Sequence, residues 1–342
     1  MKSRGSGRQR LTLKSIAELL DVSTATVSLA LRDSPLVAVD TRERIKETAR
    51  EAGYVYNRSA ASLRTQRSNI IGVAFYDIVN PYFAEMLVHI EEQLNQQKHT
   101  ILLCNHAESL ERQTDFIETL QQYGADGLIL CPAVGTTARE IEAIQDAGLP
   151  LVLICRTIAG IHVDRVVSDD ELGMRRATAH LVAQGHRRIA MIGGYPTVST
   201  FAGRTTGYRR VLEENGIAFD PDLYCIGTPV RRFGREMIEK LLDLPDPPTA
   251  AVCVNDMIAG GVMTGLHRRG LKVGTDFGVI GYDDTDDSAH LTPSLTSVTN
   301  NQEGIGATAS RLLLERIAHP GRAPEEVVLE PVLKIRESSR AG

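Results

Sequence analysis

Apolar positions along this chain follow two different rules. Between Leu11 and Gly53 they recur at helical spacing: Ile16, Leu19 and Leu20, then Val27, Ala30 and Leu31 after a three-residue break, then Ile45 and Ala49. This pattern predicts three short helices, the first two packed on each other across a tight turn. From Asn69 the apolar residues gather into short β-rich runs separated by amphipathic segments. "IIGVAFY", "ILLCN", "DGLILCP" and "LPLVLIC" read as strands buried on both faces, and "RRIAMIGG", "LYCIG", "TAAVCVND" and "DFGVIGYDD" form a second such series. Two α/β halves, each a parallel sheet wrapped by helices, are expected, with ligands bound beyond the carboxyl ends of the strands in the cleft between them.

Local signals sharpen the helical part. Ser23 stands where a capping hydroxyl accepts from free backbone N–H groups, flanked by Val22 and Val27 at the two positions of a hydrophobic staple. With Val27, Ala30 and Leu31 turned inward, the outer face presents Thr24, Ala25, Ser28, Leu29 and Arg32. Such a face suits phosphates, base edges and thymine methyls in a major groove. "DTRE" from Asp40 predicts a capping box that opens the third helix, which stops at Gly53. Three helices of this kind make a helix-turn-helix unit, with an ordinary helical hairpin as the alternative.

Charge separates the same two regions. The first 67 residues carry 13 Lys and Arg against 7 Asp and Glu, a surplus of +6, leaving −11 for the remainder of a 342-residue chain whose total is −5. A basic head on an acidic body suggests an anion-binding module joined to a domain with another task. No apolar run approaches the roughly 18 residues that span a bilayer, and "MKSRGSGRQRL" has no apolar core behind its charges, so neither a membrane partner nor an export signal is expected and the cytoplasm is the predicted compartment. Cys104, Cys131, Cys155, Cys225 and Cys253 are scattered singly, which predicts reduced and mostly buried thiols.

Enzyme signatures are weak. "GIGATA", Gly304 to Ala309, follows a strand-like run and superficially meets the dinucleotide fingerprint, but lies near the chain end rather than in a first strand–helix–strand unit. "DDTDD", Asp283 to Asp287, lacks the spacing of a calcium loop. No enzyme, cofactor or metal site is therefore predicted.

The runs "TLKSIAELLDVSTATVSLALRD" and "VDTRERIKETAREAGYVYNRSAASLRT" resemble the DNA-binding head of the lactose-repressor (LacI/GalR-type) family of bacterial transcription regulators, almost position by position. The resemblance continues through "NPYFAEML", "ADGLIL", "VVSDDELG", "HLVAQGHRRIAMIGG", "GRTTGYRRVLEENGI", "PTAAVCVND" and "IGYDD...LTPSLTSV". It implies a basic tail (1–10), a helix-turn-helix domain (11–56), a hinge helix and linker (57–68), a body like a periplasmic sugar-binding protein (69–336) and a C-terminal tail (337–342). Within the body the implied lobes are about 69–167 with 297–328, and about 168–296 with 329–336. "IGATASRLLLERI" then returns to the first lobe, giving three crossings.

In the head, the resemblance places Thr24, Ala25 and Leu29 at base-reading positions, Thr26 and Ser28 nearer the backbone, and Thr12, Ser23 and Arg32 among the DNA contacts. "NRSAASLR" matches the hinge helix. Eight residues cannot hold a helix in water, so its folding has to be coupled to something else. The resemblance implies pairing of two hinge helices in a minor groove, with Leu63 as a wedge, Arg58 and Arg64 at phosphates, and Asn57 and Ala61 on the same DNA face; a flexible polar linker is the alternative. In the body it places Arg204, Asn255 and Asp283 at the effector from the second lobe, and Tyr76, Asp77, Tyr82 and Phe83 from the first. Cys131 and Cys155 stand at strand ends where many relatives carry polar effector contacts. An arginine and a carboxylate suit a polyhydroxylated ligand, although Arg204 and Asp283 equally fit a plain ion pair across the cleft, and Phe83 equally fits the core. The expected partners are double-stranded DNA with a palindromic operator, a sugar-like effector, and a second copy of the chain, since one small head offers little contact area.

Overall fold

A computed structural model describes residues 12–54 and 67–339. The chain divides into two units, Met1–Ser68 and Asn69–Gly342.

The head is a three-helix unit of α1 (Leu13–Leu20), α2 (Thr24–Leu31) and α3 (Val39–Glu51). Thr12 caps α1 and Ser15 bonds back to it, a reciprocal pair that satisfies two backbone N–H groups. The helix stops at Asp21, which adopts a left-handed conformation (φ 53°). Ser23 caps α2 as expected, its Oγ accepting from Thr26 N at 3.0 Å. Ile16, Val27, Ala30 and Ile45 are fully buried against one another. Two expectations need correcting. Leu19 is 67% exposed, because Ala17 and Leu20 share the inward face with Ile16 instead. The third helix begins at Val39 with Ala38 as its cap and no capping hydrogen bond; Asp40 lies within the first turn, where its charge complements the helix dipole.

The body holds two six-stranded sheets. The first contains β1 (Ile70–Phe75), β2 (Thr100–Asn105), β3 (Gly127–Leu130), β4 (Leu151–Ile154), β5 (Asp164–Ser168) and β11 (Glu326–Leu329), in the order β11-β5-β4-β3-β1-β2 and wholly parallel. The second contains β6 (Ile189–Ile192), β7 (Tyr224–Cys225), β8 (Ala250–Cys253), β9 (Gly278–Asp283), β10 (Thr296–Thr299) and β12 (Val332–Lys334), in the order β12-β10-β9-β8-β6-β7. Only β12 runs antiparallel, against β10. Helices α4 (Pro81–Gln96), α5 (Leu110–Gln122) and α6 (Ala138–Asp146) follow strands of the first lobe, and α7 (Asp170–Ala183), α8 (Ser199–Glu214), α9 (Arg231–Leu241), α10 (Asp256–Arg268) and α11 (Asp286–His290) belong to the second. The long α12 (Gln302–Ala318) returns to the first lobe and packs on α4, so the chain crosses three times.

Several details differ from the sequence reading. β10 lies in the second sheet, so the crossing falls after Thr299 rather than at residue 297. β2 is an edge strand with Leu103 exposed, not one buried on both faces. Within 337–342, Glu337–Ser339 form a 3-10 turn whose Ser338 and Ser339 are buried, the former donating to Val279 O at 2.6 Å. "GIGATA" lies inside α12, where a Cβ on Gly306 would meet Met86 O at 3.0 Å, so this glycine serves helix packing.

Candidate functional site

In the head, α2 turns Thr24, Ala25 and Arg32 to solvent, with Ser28 partly covered beside them. Thr26 engages Ser23 through its hydroxyl at 2.8 Å. Leu29 rests partly against the head's core, so it offers an edge rather than a free side chain. Arg32 donates from Nε to Ser28 O at 3.1 Å, which lays it along the helix. The face therefore presents short hydroxyl and methyl groups. Asn57, Arg58, Ala61, Leu63 and Arg64 lie outside the described residues.

In the body, the carboxyl ends of both sheets face a narrow cleft. Of the residues that the resemblance places at the effector, Tyr76, Tyr82, Phe83, Cys155, Arg204, Asn255 and Asp283 line it. Two expected members do not. Cys131 is fully buried beneath the wall, and Asp77 turns back to accept from Val79 N at 3.1 Å. Arg156, Tyr195, Phe201 and Asn300 also line the cleft and were not singled out. Arg156 had one available signal, a lone arginine directly after an apolar strand run; the others depend on loop geometry that no short pattern encodes.

The second-lobe wall is built on α8 and β9. Arg204 is 7% exposed and donates from Nε to Asp170 Oδ1 at 2.8 Å and from Nη1 to Val254 O, while its guanidinium lies 3.7 Å over the Tyr282 ring. Burial opposes its charge, but Asp170, Tyr282 and Asp283 more than restore it, so its pKa stays raised. The expected alternative of an Arg204–Asp283 pair across the cleft gives way to this arrangement: both residues sit on the second lobe, and the ion partner is Asp170. Asp283 ends β9 at φ 108°, a conformation that costs a non-glycine residue on the order of 1–3 kcal/mol. Its Oδ2 accepts from Asn80 Nδ2 of the first lobe at 3.3 Å. Burial pushes its carboxyl up to about 8, with Asp256 adding to the rise and Arg204, Asn80 and Asn300 opposing it. Asn255 spends both ends on structure, capping α10 through Ile258 N at 2.9 Å and donating to Pro229 O at 3.2 Å.

The first-lobe wall is aromatic. Phe83 packs edge-on against Tyr76 and Tyr82, with centroids at 4.7 and 5.1 Å, and is 1% exposed, so it is core and lining at once. Tyr82 Oη lies 3.4 Å from Cys155 Sγ, and Cys155 has φ 62°. Burial raises Tyr82 and Cys131 well above their ordinary values. All five cysteines are free thiols, of which Cys104 and Cys225 are only half-buried.

A helix-turn-helix unit joined to a two-lobed α/β body with a cleft at its strand ends defines a class, the DNA-binding regulators that carry a ligand-binding domain. Residues 12–57 match the bacterial regulatory proteins of the lacI family, and residues 178–339 match the periplasmic binding protein-like domain. The chain is 30% identical over 327 residues, 96% of its length and 98% of the relative's, to an HTH-type transcriptional repressor PurR from Aliivibrio salmonicida. It is equally similar to a ribose operon repressor from Haemophilus influenzae, with the same coverage. Among solved structures, the lac repressor dimer bound to operator and the anti-inducer ONPF superposes with TM-score 0.84 at 26% identity, covering 97% of this chain and all of that one. A transcriptional regulator CelR–cellobiose complex superposes at 0.72 with 29% identity, covering 96% and 100%. The chain belongs to the lacI family of bacterial transcriptional regulators. Among the described residues no helix is long and apolar enough to cross a membrane.

Proposed function

We propose that this protein is a homodimeric repressor of a two-fold symmetric operator, and that a sugar or close derivative held in the cleft sets its operator affinity. The observation that carries the ligand class is Asp283: a buried carboxyl, with no cationic partner at ion-pair distance among the described residues, beside aromatic faces. Such a group hydrogen-bonds adjacent hydroxyls while a ring covers the apolar face of the ligand. The ribose and cellobiose named for two similar structures support the same chemistry. Thr24, Ala25 and Leu29 would read bases, with Thr12, Ser23, Thr26, Ser28 and Arg32 nearer the backbone; the hinge residues Asn57, Arg58, Ala61, Leu63 and Arg64 would contact the minor groove. Tyr76, Tyr82, Phe83, Cys155, Arg204 and Asp283 would hold the effector, with Asn255 supporting the wall. A regulator of this kind acts by binding rather than by chemistry, in the cytoplasm.

An effector moves operator affinity only through its different affinities for two arrangements of the body. The test is an operator titration by fluorescence anisotropy, with and without each member of a neutral-sugar panel. Binding that falls about a thousandfold from 50 to 200 mM salt and shifts with one sugar supports the reading. Salt-independent binding, or no response to any sugar, counts against it.

A further inference from the structure

Behind the first-lobe wall, paired with its Arg156, lies a carboxylate that the sugar reading does not use. Glu108 follows β2 through a turn in which Ala107 and Glu108 are both left-handed, with φ 49° and 62°. Two consecutive non-glycine residues in this conformation are costly, and loops relax unless their surroundings hold them. Here the turn is anchored at His106: its N donates to Phe75 O at 2.9 Å, and its Nε2 bonds Cys131 O at 2.9 Å. The result is that Glu108 is delivered to Arg156. Nη2 donates to Oε1 at 2.7 Å and Nη1 to Oε2 at 3.0 Å, a bidentate pair, and Nη1 also donates to Pro132 O at 2.7 Å. Val134 N adds a 2.8 Å bond to Oε2, and the Tyr76 ring covers the guanidinium at 4.1 Å.

Arg156 and Arg204 are the only cationic side chains that line the cleft among the described residues. Each is already matched to a carboxylate, Arg156 to Glu108 and Arg204 to Asp170. The remaining ionisable carboxyl, Asp283, holds no cation at ion-pair distance among the described residues. An anionic ligand entering this cleft would lose its hydration and find no unpaired charge, whereas a neutral polyol meets a carboxyl, amides and rings.

We infer that Glu108 is a specificity-determining residue: by clamping Arg156 it makes the cleft select uncharged polyhydroxylated effectors and refuse phosphorylated or carboxylated ones of the same size. This rests on the cleft being the effector site, but not on the effector being a sugar. Without the clamp, Arg156 would present a free bidentate face to an oxyanion.

The experiment uses the full-length protein and its E108Q variant, with isothermal calorimetry and thermal shift against ribose, glucose and cellobiose, against glucose 6-phosphate and ribose 5-phosphate, and against inorganic phosphate. The wild type is expected to bind no phosphate species at millimolar concentration. E108Q is expected to gain phosphate binding by at least tenfold, weakened by added salt, and the E108Q/R156Q double variant to lose that gain. If E108Q folds poorly, phosphate is expected to raise its thermal midpoint and to leave that of the double variant unchanged, because a ligand that binds only the folded state stabilises it. Phosphate-ester binding by the wild type at least as tight as that of the parent sugar overturns the inference, as does an E108Q variant that gains nothing. A gain in E108Q with no neutral sugar bound by the wild type leaves the role of Glu108 standing and removes the sugar reading instead.

Discussion

Arg204 and Asp170 form a buried pair, 2.8 Å from Nε to Oδ1, behind the cleft wall where Asp283 stands with no cation at ion-pair distance among the described residues. The arginine that the sequence marks as an effector contact is thus also a structural member of the second lobe, tying α8 to the first turn of α7. Removing one partner of such a pair leaves the other charge buried and alone, which costs about 3–5 kcal/mol. Arg204→Ala is therefore expected to abolish the effector response and to lower the urea midpoint of the body, with operator affinity at low temperature within a few-fold of wild type. A midpoint unchanged in the variant would mean that the pair contributes nothing to stability.

Asp283 makes stability depend on pH in a direction opposite to that of an ion-paired carboxylate. Its folded-state value of about 8 lies above the ordinary 3.8, so between those limits the folded state binds the extra proton. Stability accordingly falls as pH rises through this window, by up to about 1.4 kcal/mol per pH unit for one such group. Asp256, raised by burial to about 6, adds to the fall only in the lower part of the window. Asp283→Asn is expected to flatten the curve between pH 6 and 8 and to leave only the Asp256 share of the slope below pH 6. Urea unfolding across the range reads this directly, and an undiminished slope above pH 6 would contradict it.

Adjacent glycines in α10 are expected to respond in opposite ways to the same substitution. A Cβ on Gly261 would run into the backbone carbonyl of Arg231 on α9, which cannot move without the helix, whereas one on Gly260 would meet the far end of the Arg231 side chain at 2.7 Å. Alanine gains up to about 1 kcal/mol of helix propensity at either place. Overpacking costs about 1–3 kcal/mol, and only Gly261 incurs it. Thermal midpoints should rise or hold for Gly260→Ala and drop by several degrees for Gly261→Ala. Equal shifts would show that α9 and α10 are not in rigid contact.

Leu63→Ala tests the proposed hinge. A wedge contributes only where a central base step unstacks and the hinge helices fold, so specific binding is expected to weaken by at least tenfold more than non-specific binding. Isotherms on an operator duplex and on a random duplex of equal length distinguish this from a simple linker, for which both losses would match.

Periodicity, charge and caps in the sequence were enough to determine the two-part plan. The switch from helical spacing to β-rich runs at Asn69, the Ser23 cap and the basic surplus of the first 67 residues are local properties, set by which side chains must leave water and which backbone groups need partners. The same locality made the cleft-lining residues that follow strand ends legible, because parallel strands bring their carboxyl ends to one edge.

Only the tertiary structure decided how charges pair within that edge. Glu108 meets Arg156 across 48 positions and Asp170 meets Arg204 across 34, through a strained turn in one case and a helix–helix contact in the other. Likewise the exposure of β2 at a sheet edge follows from strand order. A buried charge takes whichever counter-charge the packed chain brings within hydrogen-bonding distance, and sequence separation carries no information about that distance.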